Sequence, residues 1–177
     1  MATEKFTNIW IFLGILVIAA LLQGFATSAG AQTYTVKCRE SGHSPKTQII
    51  EVGDVPGHIV LVSELAGVLS CDDGSVATTS IKGMSDMTKG SGKGHGYTLF
   101  TFEDGSAFWL RYQITITPNP DGKTSKWEGT SEIIKGTGRF EGSQEGDTFT
   151  GKRLAPAPGA GMQYYVDYTL TYTLPSK

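Results

Sequence analysis

An all-β domain, folded as a sandwich or closed barrel, is what this sequence predicts, and three observations predict it. The first is the run at residues 163–174 (QYYVDYTLTYTL), where Tyr164, Val166, Tyr168, Leu170, Tyr172 and Leu174 fall on one face. That is a period of two over a full strand, with no helical alternative. The second is Asp104-Gly105 standing between two alternating runs, residues 97–103 (YTLFTFE) and 106–117 (SAFWLRYQITIT). The third is composition. Glycine accounts for 23 of 177 residues, threonine and aromatics recur at short spacing, and Ala/Leu/Glu/Lys runs are nearly absent beyond the first 30 residues. Such a chain favours strands joined by many turns.

Taken in order, the elements begin after an N-terminal segment of a different kind. Lys5 precedes fourteen residues (9–22, IWIFLGILVIAALL) that are almost wholly apolar, then polar and small residues and Ala29-Gly30-Ala31. These are the three parts of a secretory signal peptide, so residues 1–31 are expected to be removed, leaving one domain over residues 32–177 in a secreted or periplasmic location. The alternative is an N-terminal membrane anchor, although a spanning helix needs about 20 apolar residues.

Residues 33–38 (TYTVKC) and 47–52 (TQIIEV) read as two strands separated by a Ser-Gly-His-Ser-Pro loop, with a turn at Gly53-Asp54-Val55-Pro56-Gly57. Strands follow at 58–62 and around 76–81, and the glycine-rich residues 89–96 (KGSGKGHG) read as an exposed flexible loop. Asp-Gly between alternating runs predicts a two-residue type I′ hairpin. Glu103 would then face Ser106, placing Tyr97, Leu99, Phe108, Leu110 and Tyr112 on one inward face with Ile114 and Ile116. Further strands lie within 124–134 and in residues 136–152 (GTGRFEGSQEGDTFTGK), giving seven to nine in all.

The glycines of 136–152 are structural. A phosphate loop needs G-x-x-x-x-G-K-[ST] ahead of a helix, and a dinucleotide fingerprint needs G-x-G-x-x-G. Neither is present. The simple reading pairs Arg139-Phe140-Glu141 with Thr148-Phe149-Thr150 as short strands.

At this point "GTGRFEGSQEG" and the final "YYVDYTLTYTL" resemble the C-terminal half of the allene oxide cyclase barrel family, with related patterns in plant dirigent proteins and in exported bacterial proteins of the same barrel class. The match spans roughly residues 127–174, with "VGDVPGH" (52–58) a weaker echo. The resemblance implies an antiparallel eight-stranded β-barrel with an apolar cavity, often assembled as a homo-oligomer. It carries no catalytic residue across.

Chemistry is sparsely signposted. Formal net charge is −2, which leaves no electrostatic footprint for nucleic acid. His43, His58 and His95 lack metal-ligand spacing, so no metal and no cofactor is expected. Nucleophilic motifs are absent. His58, after Pro56-Gly57 at a barrel mouth, and Glu103, on a strand with Arg111 nearby, are the weak candidates for proton transfer. The acidic residues beside glycines, Asp147 among them, read as turn residues. Cys38 and Cys71, about 33 residues apart, either close a disulfide or stay separate thiols.

The tyrosines are more distinctive. Tyr97, Tyr112, Tyr164, Tyr168 and Tyr172 fall on apolar faces, as suits a pocket for a small apolar ligand with one or two polar groups, or simply the filling of the barrel. Tyr97, Leu99, Phe108, Leu110, Tyr112 and Tyr168 are the expected ligand-lining set. Three functions compete: an exported barrel binding a small apolar molecule, an isomerase or cyclase acting on a hydrophobic substrate, and a structural or interaction module of the cell envelope.

Overall fold

Eight strands, each antiparallel to the next, wind in chain order and close on themselves because the first pairs with both the second and the last. They are β1 (Gln32–Glu51), β2 (His58–Cys71), β3 (Val76–Thr88), β4 (Ser91–Phe102), β5 (Ala107–Pro118), β6 (Ser125–Thr137), β7 (Gly146–Arg153) and β8 (Gln163–Leu174). The structure is a computed structural model and describes residues 31–155 and 161–174. All but the last residue of the expected signal segment lies outside the described residues.

Period-two patterning fills the barrel. In β8, Tyr164, Val166, Tyr168 and Leu170 are all buried, as their alternation predicts. They meet Leu69, Phe100, Phe108, Leu110, Trp127 and Phe149 in a single core. Cys38 and Cys71 are directly opposed on β1 and β2 and joined as a disulfide, which settles the alternative left open by the sequence.

Several sequence expectations are corrected by the way the chain turns. β1 is one strand, not two. Its register slips between His43 and Lys46, so the Ser44-Pro45 region is a bulge inside a continuous β1–β2 ladder. Residues 89–96 are not a flexible loop either. Lys89 and Gly90 both take positive φ (53° and 81°) and turn the chain in two residues, after which Ser91 starts β4. The inward glycines of β4 stand where side chains from elsewhere need room. A Cβ on Gly96 would lie 2.7 Å from the Tyr112 hydroxyl oxygen.

The hairpin at Asp104-Gly105 has a three-residue loop in place of the expected two. The Phe102 N–H donates to the Ser106 carbonyl and the Gly105 N–H to the Phe102 carbonyl, each at 2.9 Å. Gly105 alone in this loop has positive φ, 78°. Asp104 accepts from both the Ser106 N–H and the Ser106 hydroxyl at 3.0 Å. This side-chain cap favours a type I turn completed by a left-handed glycine over the type I′ turn. Phe100 therefore faces Phe108, and Tyr97 faces Arg111. The one-residue change turns every β4 side chain to the opposite face. Tyr97 is 52% exposed on the outside and Leu99 half-buried beside Trp109, while Thr98, Phe100 and Phe102 point inward. Phe108, Leu110 and Tyr112 keep their inward placement.

Nor does Arg139-Phe140-Glu141 form a strand. Residues Gly138–Phe140 make one 3-10 turn, and β7 pairs with β6 and β8. Phe140, 2% exposed, plugs that end of the barrel, its ring 4.9 Å from Phe102, 5.0 Å from Phe108 and 5.4 Å from Tyr172.

Closing a loop of 33 residues removes about 3–4 kcal/mol of chain entropy from the unfolded state. Reducing the Cys38–Cys71 bond should lower stability by about that amount in urea denaturation, read from the shift in midpoint at constant slope. An unchanged midpoint would show that the bond contributes nothing.

Candidate functional site

The polar side chain buried deepest is Glu40, wholly inaccessible on the inward face of β1. Its parity is that of Val36 and Cys38, so the strand's own alternation aims a carboxyl into the apolar interior. Three hydroxyls meet it. Tyr164 and Thr79 donate to Oε1 at 2.5 and 2.7 Å, and Tyr168 donates to Oε2 at 2.7 Å. Gly42 makes this geometry feasible, since a Cβ there would stand 2.7 Å from the Tyr164 hydroxyl oxygen. Burial pushes the Glu40 carboxyl above the usual range, and the hydroxyl donors offset only part of that. Burial and the Glu40 charge in turn raise the phenols of Tyr164 and Tyr168, and push Tyr112 up to about 12.

Above this cluster lies a cavity of about 40 Å³ walled by Tyr112, Ile114, Trp127, Phe149, Tyr164 and Tyr168, with Ser131 and Thr98 among its polar atoms. Larger hollows lie on the outer surface. One of about 470 Å³ runs over Lys37, Arg39, Thr148 and Asp167, where Arg39 and Asp167 form an exposed ion pair. Such surface pairs contribute little, and the hollow is open to solvent, so the interior cavity is the better candidate.

A second carboxyl faces inward. Asp147 on β7 is 8% exposed, and its Oδ1 accepts the Ser131 hydroxyl at 2.5 Å. Its Oδ2 has no hydrogen-bond partner among the described residues. Burial raises Asp147 to about 6.

Of the expected ligand-lining residues, Leu110, Tyr112 and Tyr168 line this cavity. Phe108 is fully buried lower down, packed on Phe100 and Phe140. Tyr97 and Leu99 are outside. Glu103 is exposed in the hairpin loop, not on a strand, and Arg111 pairs with Glu132 on the outer face. His58 begins β2 and is held at both ring nitrogens, Nδ1 at 2.5 Å from Asp54 and Nε2 at 2.8 Å from Asp86. The two carboxylates raise its pKa, and it does not line the cavity. Its engagement ties the β1–β2 turn to β3. Among the described residues, no three His, Cys, Asp or Glu side chains gather as a metal-holding group.

Sequence reasoning missed Glu40 and Asp147. For Glu40 the signal was present, a carboxylate at the apolar parity of a strand. For Asp147 it was hidden, because Gly146 made it look like a turn residue.

The fold and site thus define a closed antiparallel eight-stranded barrel with a carboxyl–phenol cluster in its interior. No family model and no curated protein matches the chain. Five solved chains do. The pterocarpan synthase dirigent protein GePTS1 aligns at 14% identity over 86% of this chain and 94% of its own, with a TM-score of 0.47. The pterocarpan synthase dirigent protein PsPTS1 aligns at 13% identity over 82% and 97%, with a TM-score of 0.45. Likeness of this degree assigns no activity.

Asp147 gives a pH dependence of definite sign. With its folded pKa above its unfolded value, the folded state holds the proton more tightly, so stability falls as pH rises from about 4 to about 6. The loss is on the order of 2–3 kcal/mol. The stability difference between Asp147→Asn and the parent should therefore grow in favour of the variant across that window. A difference independent of pH would contradict the burial of this carboxyl.

Proposed function

We propose that this barrel binds a small, largely apolar molecule inside, its polar group resting on the hydroxyls of Tyr164 and Tyr168. One observation carries the reading: a fully buried glutamate, held by three hydroxyls beneath an aromatic cavity. Burying a carboxyl costs several kcal/mol that an apolar residue of like size would not cost. A barrel built for stability alone has no use for it. The open volume of about 40 Å³ is far below the roughly 300–1,000 Å³ of drug-sized sites. The ligand is therefore small or slender, and the side chains at the cavity, Tyr112 and Ile114 among them, turn aside to admit anything larger.

Export belongs to the same proposal, with residues 1–31 removed, and the Cys38–Cys71 disulfide supports an oxidising compartment. So does membership of the allene oxide cyclase barrel class, which rests on the motifs of residues 127–174. Homo-oligomeric assembly is part of it as well.

A second reading has its own support. The raised carboxyl of Glu40, linked through two phenols to the cavity, is a group able to hold or release a proton, as an isomerase or cyclase needs. In that case Glu40 takes the role that the sequence suggested for His58 or Glu103.

Native mass spectrometry of the protein purified from its exported fraction separates these readings from a filled, structural barrel. The expected result is a bound mass that disappears on denaturation and is reduced in Tyr168→Phe. A clean unliganded mass, with no uptake of added apolar compounds, would overturn the binding reading.

A further inference from the structure

Three of the hydroxyls at the cavity donate away from it. Tyr164 and Tyr168 spend their hydroxyl protons on Glu40, and Ser131 spends its proton on Asp147. A hydroxyl that donates away from a cavity presents only lone pairs to it. Asp147 Oδ2, on a residue 8% exposed on the inward face of β7, is an acceptor with no donor among the described residues. Ser131, opposite Asp147 on β6, lines the cavity with Phe149 and Tyr168, and Asp147 stands behind Ser131. The remaining wall is aromatic or aliphatic apart from the Thr98 and Tyr112 hydroxyls, and aromatic faces are electronegative. Among the described residues, no lysine, arginine or histidine lines the cavity to balance the two carboxyls behind it.

We propose that the pocket selects a small apolar amine, bound as its ammonium, with the N–H donors directed at Ser131 and the phenolic oxygens, the Asp147 carboxylate behind Ser131, and the hydrocarbon against Leu110, Ile114 and Trp127. The inference deepens the binding reading above and rests on it. An ammonium supplies three donors and a positive charge where the wall offers acceptors and buried negative charge. A neutral alcohol supplies one donor and no charge. A carboxylate brings like charge into a low-dielectric space and is refused. Ser131 and Asp147 are then the residues that set specificity, while Glu40 fixes the direction of the tyrosine hydroxyls.

Three probes with one carbon skeleton test this: isobutylamine, isobutanol and isobutyrate, each titrated at neutral pH into the full chain. Binding is read from the NMR shifts of the Trp127 indole and the Ile114 and Leu110 methyls. The amine is expected to bind at least about tenfold more tightly than the alcohol, and isobutyrate not to bind. In Asp147→Asn the advantage of the amine should shrink to within about twofold, with the alcohol unchanged. Should that variant fold poorly, Ser131→Ala addresses the same pair, and the three-probe comparison in the parent stands by itself. If isobutanol or isobutyrate binds as well as the amine, the selectivity for amines is wrong while a binding cavity remains. If none of the three shifts these resonances, both the selectivity and the binding reading fall.

Discussion

Everything inside this barrel is arranged around one expensive act, the burial of the Glu40 carboxyl. A carboxyl out of reach of water must be hydrogen-bonded or neutralised. The chain supplies three hydroxyls from two other strands, Thr79 on β3 and Tyr164 and Tyr168 on β8. β8 pairs with β1 directly, whereas β3 reaches β1 only through β2. The cluster therefore ties together strands on both sides of the seam where the barrel closes. It also fixes which way two phenols point, and with that the chemical character of the space above them.

The disulfide and the ring cluster support this arrangement from the same end of the barrel. Cys38, two residues before Glu40, is joined to Cys71, which holds the β1–β2 register beside the carboxyl. At that end Phe140 packs on Phe102, Phe108 and Tyr172 and plugs the barrel with apolar surface. One end is thus dry and filled, while the other keeps a small polar-floored cavity. That asymmetry gives the interior a direction of entry.

The fold was legible because its evidence is local and repeated. The period of two in β8 identifies each inward residue from Tyr164 to Leu170, and the structure agrees. Other readings failed where one local interaction overrides a pattern. The Asp104 side chain, by capping Ser106, adds a residue to the hairpin loop and so sends Tyr97 and Leu99 outward. The glycines of β4 look like a linker in sequence because their reason lies elsewhere, in the space that the Tyr112 hydroxyl takes beside Gly96. The site was half legible. Tyr112 and Tyr168 could be picked out as phenols at apolar parity. The same parity marked Glu40, but the significance of a carboxylate there depends on partners more than 120 residues away in Tyr164 and Tyr168. His58 and Glu103 drew notice by residue type and by expected places at a barrel mouth and on a strand, and the structure engages one at a turn and leaves the other in a solvent-exposed loop.

The most direct test of this account is a carbon-13 NMR titration of the Glu40 side-chain carboxyl in the folded protein, assigned with Glu40→Gln. Burial beneath the cavity predicts a carboxyl that titrates above the ordinary glutamate range, with the Tyr164 and Tyr168 ring resonances responding in step. An ordinary glutamate titration, with neither ring responding, would place Glu40 in water and contradict the site at its root.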